Sequence, residues 1–199
     1  MIHPDTELQF ISEFIGYGVV AKKLIPKGTI TWVQDDLDQV YSSEKERSIS
    51  LQMRDQLQKY SFTNASGEKV LCWDHAKYVN HSFRPSCMST AYDFEIAIRD
   101  IHPGEQLTDD YGYLNVEAPF QAEEEQGAER KIVYPDDLLR YHDVWDQAVR
   151  QNLDEILKVD QPLQSYIPDK TWSEFVQVLE GKQPLKSILT CYFDPGENR

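Results

Sequence analysis

The first half of the chain alternates short apolar segments with glycine and proline turns. Residues 8–15 are apolar with polar interruptions, and β-branched residues recur at 19–24 and 29–33 on either side of a Pro-Lys-Gly turn. Each of these segments is typical of a strand. Further apolar segments, two of them flanking an Asn-Ala-Ser-Gly turn, predict strands at 60–63, 69–73, 89–99 and 106–111. Many short strands joined by such turns indicate a β-rich fold.

Helical spacing of apolar residues is confined to one segment of this half and dominates the last third. Residues 43–58 predict a helix, because Ile49, Met53 and Leu57 are four apart and Ser42 or Ser43 can cap its N-terminus. Residues 136–159 predict a long helix, whose first-turn aspartates are favoured by the helix dipole. The predicted inward face of this long helix is Leu138, Tyr141, Trp145, Ala148, Leu153, Ile156 and Leu157.

Two more helical segments are predicted near the C-terminus. Residues 171–180 form a shorter pattern that ends at Gly181, a residue typical of helix C-termini. Residues 184–193 are a candidate for a third helix. The predicted inward residues of 171–180 are Trp172, Phe175, Val176 and Leu179.

The order of these elements predicts the organisation of the chain. Strands come first and helices last, which disfavours a doubly wound parallel sheet and favours a β-rich α+β fold. We therefore expect a β domain over 1–117 and a C-terminal linker with a helical region over 118–199. The charged segment 118–131, which contains three consecutive glutamates, is interpreted as a solvated connector.

The composition indicates which kind of macromolecule the protein can bind. The 199-residue chain is 40% hydrophobic and carries a formal net charge of −14. Phosphate backbones are bound by Lys and Arg, so this charge disfavours direct nucleic-acid binding. An acidic surface attracts basic proteins and speeds their encounter; the alternative, that the charge serves only solubility, stays open.

The cysteines and the apolar segments argue against a disulfide-rich, metal-binding or membrane-spanning protein. The three cysteines, Cys72, Cys87 and Cys191, are widely spaced and do not predict a disulfide framework. The spacing Cys72-x-x-His75 has no matching second pair, so no metal site is predicted. No apolar run is long enough to span a bilayer, and the N-terminus lacks the features of a signal peptide. We expect a reduced, cytoplasmic protein without a membrane partner; the oligomeric state is not predicted.

Three short motifs carry the candidate chemistry. The first, Gly16-Tyr17-Gly18, also fits a dinucleotide fingerprint, but the β-branched residues and the proline that follow it exclude the required helix. The others are Asn80-His81, within Tyr78-Val79-Asn80-His81-Ser82-Phe83-Arg84-Pro85-Ser86-Cys87, and Tyr111-Gly112, at the end of Gly104-Glu105-Gln106-Leu107-Thr108-Asp109-Asp110-Tyr111-Gly112.

In this order, the three motifs resemble the SET-domain family of S-adenosylmethionine-dependent protein lysine methyltransferases. The resemblance covers roughly residues 8–116. It implies a SET-type β-fold with a knot-like site, in which the segments ending in Tyr111 and around Asn80 are threaded together. It also implies that S-adenosyl-L-methionine is held by Gly16, Tyr17, Gly18, Asn80, His81 and Tyr111, with Tyr111 as the catalytic residue that faces the methyl group.

Methyl transfer sets requirements that the sequence can be tested against. A lysine has a pKa near 10.4, so the amine must be made neutral, which an apolar channel beside a sulfonium favours. Alignment does most of the rest, and a phenol oxygen such as that of Tyr111 can steer the methyl group. No acid–base pair is required, and none is evident in the sequence. We expect Asp109, Tyr113 and Tyr78 to line the substrate channel.

The chain departs from the family pattern at three places. Asp109 stands where relatives often have an aromatic residue that helps to set the number of methyl groups added, and Ser86 stands where they have Asn. The cysteine-rich tail of many relatives is missing, so an aromatic from the C-terminal region, Tyr134, Trp145 or Trp172, is expected to close the site.

Two functions remain in competition. The first is methylation of an exposed lysine in a protein substrate, expected to be basic, such as a histone-like tail. The second is a catalytically inactive SET-like module that binds basic proteins through its acidic surface. Asp109 in a channel expected to be apolar favours the second, and the presence of all three motifs favours the first.

Overall fold

Short strands build the N-terminal part of the protein, as predicted. A computed structural model describes residues 1–196. Its strands are β1 Thr6–Ser12, β2 Gly16–Ala21, β3 Ile30–Val33, β4 Gln39–Tyr41, β5 Ser61–Thr63, β6 Lys69–Leu71, β7 Asn80–His81, β8 Cys87–Ser89, β9 Phe94–Ala97, β10 Thr108–Asp109, β11 Phe120–Gln121 and β12 Ile132–Val133. The β-rich α+β class is confirmed, although the strands are shorter than their sequence patterns.

Small sheets, rather than one large one, organise these strands. β1 pairs with β2, β11 with β12, and β7 with β10, while two three-stranded sheets have the orders β3-β9-β8 and β4-β6-β5. All pairs are antiparallel except β7–β10. Strands β3 and β9 are buried along their whole lengths, including the polar residues Thr31 and Glu95.

Five α-helices complete the part of the chain that the structure describes. They are α1 Ser43–Ser48, α2 Leu51–Tyr60, α3 Asp137–Arg150, α4 Leu153–Ile156 and α5 Asp169–Leu179. Single turns of 3-10 helix lie at His75–Tyr78, Tyr111–Tyr113, Gln164–Tyr166 and Ile188–Cys191. None of the helices in residues 1–196 is both long and apolar enough to cross a membrane.

The predicted helix over 43–58 is two helices. The backbone is extended at Ile49 and Ser50, and the Ser50 hydroxyl accepts a hydrogen bond from the Met53 amide at 3.3 Å, so that a new helix starts there. Ser42 caps the first helix, as predicted. The predicted inward face is wrong in part, because Leu57 is buried but the Met53 side chain is 53% exposed.

The C-terminal helices are also shorter than predicted. The helix expected over 136–159 is interrupted after Arg150, where the Asn152 side chain donates to the Ala148 carbonyl at 2.6 Å, and resumes as α4. Leu157, predicted to face inward, is 66% exposed. The segment 184–193 contains only a 3-10 turn, whereas Gly181 ends α5 with a φ of +69°, as predicted.

One apolar core joins the strands to the C-terminal helices. Phe94 of β9 is in edge contact with Phe175 of α5, with 4.9 Å between ring centroids. Tyr113 meets Trp145 of α3 in the same geometry at 5.4 Å. A second cluster lies around Trp32, Cys87 and Leu107. The helices therefore pack directly on the β-rich part; a domain boundary at 117/118 stays a prediction.

The segment interpreted as a solvated connector is in part docked. Most of its side chains are exposed, but Glu125 accepts hydrogen bonds from the Ser82 hydroxyl and the Phe83 amide, both at 2.8 Å. Phe120 and Gln121 pair with β12. The segment therefore returns to the motif around Asn80.

Candidate active site

The parallel pair β7–β10 brings two of the three motifs together. Asn80 lies opposite Thr108 and His81 opposite Asp109. The Ser82 amide donates to the Asp109 carbonyl at 2.9 Å, which continues the pairing by one residue. Each strand is only two residues long, so this arrangement depends on long-range contacts that no local sequence pattern encodes.

The glycine motif lies against Asn80. The Asn80 side-chain amide donates to the Tyr17 carbonyl at 3.2 Å and to Gln106 Oε1 at 2.9 Å. A Cβ at Gly18 would lie 2.6 Å from Asn80 Nδ2 and 2.5 Å from Gln106 Oε1, closer than real contacts allow. Gly16 has a φ of +83° and open space around it, as a tight turn requires. Gln106 is a site residue that the sequence analysis missed.

His81 connects the second motif to Tyr111. Its Nδ1 accepts a hydrogen bond from the Tyr111 amide at 3.1 Å. Burial, followed by the positive charge of Arg130, lowers the pKa of His81 to about 4, so the ring is neutral at physiological pH. A neutral ring that accepts a hydrogen bond from the Tyr111 amide positions the Tyr111 backbone.

The Tyr111 phenol is held in one orientation. Its hydroxyl donates to the Val79 carbonyl at 2.7 Å. Burial, with a smaller contribution from the negative charge of Asp109, raises the pKa of Tyr111 well above its usual value, so the phenol stays protonated. The ring also lines the cavity beside the motifs.

A cavity of about 690 Å³ opens on one side of Tyr111. Of the three predicted channel residues, Asp109 and Tyr113 line it. Tyr78 is not part of the lining and instead packs against Tyr17 and Tyr60, with ring centroids 6.4 and 5.2 Å away. Other lining residues include Trp32, Phe62, Lys69, Val79, Glu95 and Phe120.

Comparison with known proteins identifies this arrangement. Residues 16–112 match the family model of the SET domain, and this range contains all three motifs. The chain carries a SET domain. Histone-lysine N-methyltransferase Set2 of Drosophila melanogaster is 30% identical over 117 residues, which cover 53% of this chain and 5% of Set2. This chain therefore spans about one-twentieth of the length of that curated relative.

A solved structure shows a weaker similarity. A crystal structure from Plasmodium falciparum, of a protein named provisionally as a histone methyltransferase, is 18% identical in sequence. The match covers 55% of this chain and 95% of the other, with a TM-score of 0.40. That value is too low to carry an argument about function.

Two buried carboxyl groups face the cavity of the SET domain. Asp109 is 6% exposed and Glu95 8% exposed. Burial raises the pKa of Glu95 to about 7, and burial together with the Glu95 charge raises the pKa of Asp109 well above its usual value. The cavity is therefore not the purely apolar channel that the sequence predicts. Glu95 was missed because it belongs to a different strand and to none of the motifs.

The aromatic residues expected to close the SET site lie elsewhere. Trp145 packs on Tyr113 in the core, and Trp172 packs on Phe175 at 6.0 Å. Tyr134 lies beneath the Arg140 guanidinium at 5.4 Å. None of these three side chains lines the cavity, whereas the ring of Phe120 of β11 does.

Phe120 is exposed and lies next to two motif residues. Its ring centroid is 5.8 Å from that of His81 and 6.1 Å from that of Tyr111. The β11–β12 pairing holds it there. A two-residue strand in a charged segment has no recognisable hydrophobic pattern, so the sequence analysis assigned Phe120 to the connector.

Arg130 ties the C-terminal region to the SET motif. Its guanidinium forms ion pairs with the buried carboxylates of Asp110 and Asp137, one from the Tyr111 motif and one from α3. The same group lies over the rings of Phe83 and Tyr141, at 4.7 and 4.4 Å. Arg130 thereby joins the residue before Tyr111 to the first turn of α3.

No metal site accompanies these residues in the part of the chain that the structure describes. Within residues 1–196, no three His, Cys, Asp or Glu side chains cluster in a way that could hold a metal ion.

Proposed function

We propose that this protein transfers a methyl group from S-adenosylmethionine to the ε-amine of a lysine in a basic protein. The observation that carries the proposal is the joining of three motifs by hydrogen bonds: Asn80 to the Gly16–Gly18 turn, and His81 to Tyr111. The matching SET family model and the relative named as a histone-lysine N-methyltransferase support the reaction class.

The residues around Asn80 suit the proposed methyl donor. Asn80 donates both of its described hydrogen bonds through its amide nitrogen, which leaves its carbonyl oxygen to accept one from an amino group. Gly16 has no heavy atom within 4 Å of where a side chain would begin, so a ligand can approach the turn closely. When bound, S-adenosylmethionine supplies an electrophilic methyl group on a sulfonium. Gly16, Tyr17, Gly18, Asn80 and His81 would hold it.

The proposed role of Tyr111 is to align the reaction. Its phenol is protonated, and its hydrogen bond to Val79 directs the oxygen lone pairs away from that carbonyl. Such an oxygen can orient a methyl group through weak C–H···O contacts. Tyr113 and Phe120 would exclude water from the channel, and alignment in a desolvated site accounts for large rate factors.

Cofactor binding gives the first test. We expect calorimetry to detect binding of S-adenosylhomocysteine to the wild-type protein. An Asn80→Ala variant should bind at least about tenfold more weakly, because it loses the contact that fixes the glycine turn. No binding of S-adenosylhomocysteine to the wild-type protein at millimolar concentration would refute the donor site.

Turnover gives the second test. Tyr111→Phe should keep its affinity for S-adenosylhomocysteine but lose about a hundredfold in kcat, because the methyl group is no longer aligned. The readout is transfer of radiolabelled methyl groups to a panel of basic proteins. Tyr166→Phe, a change at an exposed residue outside the site, is the matched control and should behave as wild type. Equal kcat values for Tyr111→Phe and wild type would show that the role of Tyr111 is wrong.

The second candidate is an inactive SET-like module that binds basic proteins. The acidic pair in the cavity favours it, because buried carboxylates suit a bound cation as well as a reaction. The same radiolabel assay separates the two: tight binding of a basic protein without transfer would support the module.

A further inference from the structure

Glu95 and Asp109 come from different strands and meet at the cavity wall. Glu95 lies on β9 and Asp109 on β10, and both line the cavity together with Tyr111. The two carboxyl groups are close enough for each to shift the pKa of the other. The Ser89 hydroxyl donates to Glu95 Oε1 at 2.7 Å.

No described cation neutralises this pair. Within residues 1–196, neither carboxylate forms an ion pair, and Asp109 Oδ1 has no hydrogen-bond partner. The lysine that lines the cavity, Lys69, is engaged by the Thr63 hydroxyl at 3.0 Å and by Glu117. Buried polar atoms without partners cost free energy, so this wall favours a ligand that brings N–H donors and positive charge.

The proposed reaction supplies such a ligand. A lysine side chain enters a protein site mostly as an ammonium group, since its ordinary pKa is near 10.4. An ammonium has three N–H donors and no lone pair, and only the neutral amine can attack a methyl group. The carboxyl groups of Glu95 and Asp109, which favour binding of the ammonium group, are therefore also placed to accept its proton.

We propose that Glu95 and Asp109 form a shared proton acceptor that binds the substrate ammonium and takes one proton from it before methyl transfer. The proposal rests on the proposed function. In the step, one N–H bond breaks and leaves its electron pair on nitrogen, while an O–H bond forms on a carboxylate of the pair. The proton then passes to water when the product leaves.

The acidities of the pair suit this role. Burial raises the pKa of Glu95 to about 7, and that of Asp109 is raised well above its usual value. Above about pH 7 the Glu95 carboxyl group is therefore largely ionised and can accept a proton, and it is a stronger base than an ordinary carboxylate. Below pH 7 Glu95 is largely protonated and cannot accept the proton, so the rate should rise as pH increases through about 7. The groups that face the pair are Cys87 and Ser89 of β8, Cys72, Asp110, Tyr111, Tyr113 and the amino group of Met1.

The pH dependence of kcat tests the proposal. Glu95→Gln and Asp109→Asn keep the shape of the wall but remove a proton-accepting oxygen. With radiolabelled S-adenosylmethionine and core histones plus ribosomal proteins as acceptors, each variant should lose about 10² in kcat at pH 7.5. The rise in kcat near pH 7 should disappear, while the KM for S-adenosylmethionine stays as in wild type. Asp143→Asn, on the exposed face of α3, is the matched control.

A spectroscopic titration provides a readout that does not depend on turnover or on the variants. Infrared difference spectra of the wild-type protein should show a protonated carboxyl group that titrates near pH 7, and Glu95→Gln should lack it. Wild-type kcat profiles in both variants, or no carboxyl titration near pH 7 in the wild type, would overturn the inference while leaving methyl transfer intact. No transfer by the wild-type protein to any acceptor would instead overturn the proposed function, and the inference with it.

Discussion

At the scale of single residues, the site depends on contacts that leave no space for substitution. Gly18 is buried between Asn80 and Gln106, and its missing side chain is what lets the Asn80 amide reach the Tyr17 carbonyl. The sequence motif shows the glycine but not the reason for it. The turn alone requires only Gly16, whose φ is positive; Gly18 is required by close packing.

The raised pKa of Glu95 should also make the free energy of unfolding depend on pH. Its pKa is raised from 4.5 to about 7 in the folded protein, so its contribution to stability is present below pH 4.5 and is lost as pH rises to 7. Glu95→Gln has no such ionisation. The free energy of unfolding of the variant, relative to wild type, should therefore increase between pH 4.5 and 7 and then level off. Urea unfolding at pH 4.5, 5.5 and 7.5 measures this.

His81 does not confound that comparison. Its lowered pKa acts in the opposite direction, because stability is lost as pH falls from 6.5 towards about 4. The imidazole is present in both proteins, so its contribution cancels in the difference. A difference between variant and wild type that is the same at the three pH values would contradict the raised pKa of Glu95.

At the scale of elements, hydrophobic periodicity and turn residues predicted the strands and helix ends that are determined by local sequence. The early strands and Gly181 as a helix end follow from apolar patterns and from glycine conformations. The break at Ser50 was missed because the four-residue spacing of Ile49, Met53 and Leu57 continues across it. The parallel pair β7–β10 is two residues long on each strand, too short for a recognisable sequence pattern. The proximity of Asn80 to Tyr111 was therefore predicted only from the resemblance of the motifs to a known family.

Arg130 links the SET motif around Tyr111 to helix α3, and removing its guanidinium should destabilise the fold. Arg130→Met leaves the buried carboxylates of Asp110 and Asp137 without their cation, which should lower the free energy of unfolding by about 3–5 kcal/mol. Lys131→Met is the control: Lys131 pairs with exposed Glu124, and the change should alter stability by less than about 0.5 kcal/mol.

Chemical denaturation of both variants measures the difference, and a double-mutant cycle with Asp137→Asn isolates the coupling. If Arg130→Met is as stable as Lys131→Met, the guanidinium does not hold the C-terminal region on the site. In that event the docking of β11 and β12 must depend on the Phe120 and Glu125 contacts.

At the scale of the whole molecule, the net charge is the property that acts on a partner over the longest distance. The net charge of −14 is spread over a chain for which we propose a basic protein as substrate. Attraction between the acidic surface and a basic substrate acts over roughly a Debye length, about 8 Å at physiological salt. It speeds encounter and strengthens capture, whereas the reacting atoms inside the cavity are little screened by salt.

Salt should therefore separate capture from chemistry. Raising the salt concentration from about 50 to 300 mM shortens the Debye length and should increase the KM for a basic protein substrate severalfold while kcat changes little. The measurement is initial rates of radiolabel transfer over substrate concentration at each salt level, with sucrose of equal osmolality as an uncharged control. A KM that does not change with salt would mean that the acidity serves solubility alone. A fall in kcat at constant KM would instead place the charge effect at the carboxyl pair of Glu95 and Asp109, inside the cavity rather than on the surface.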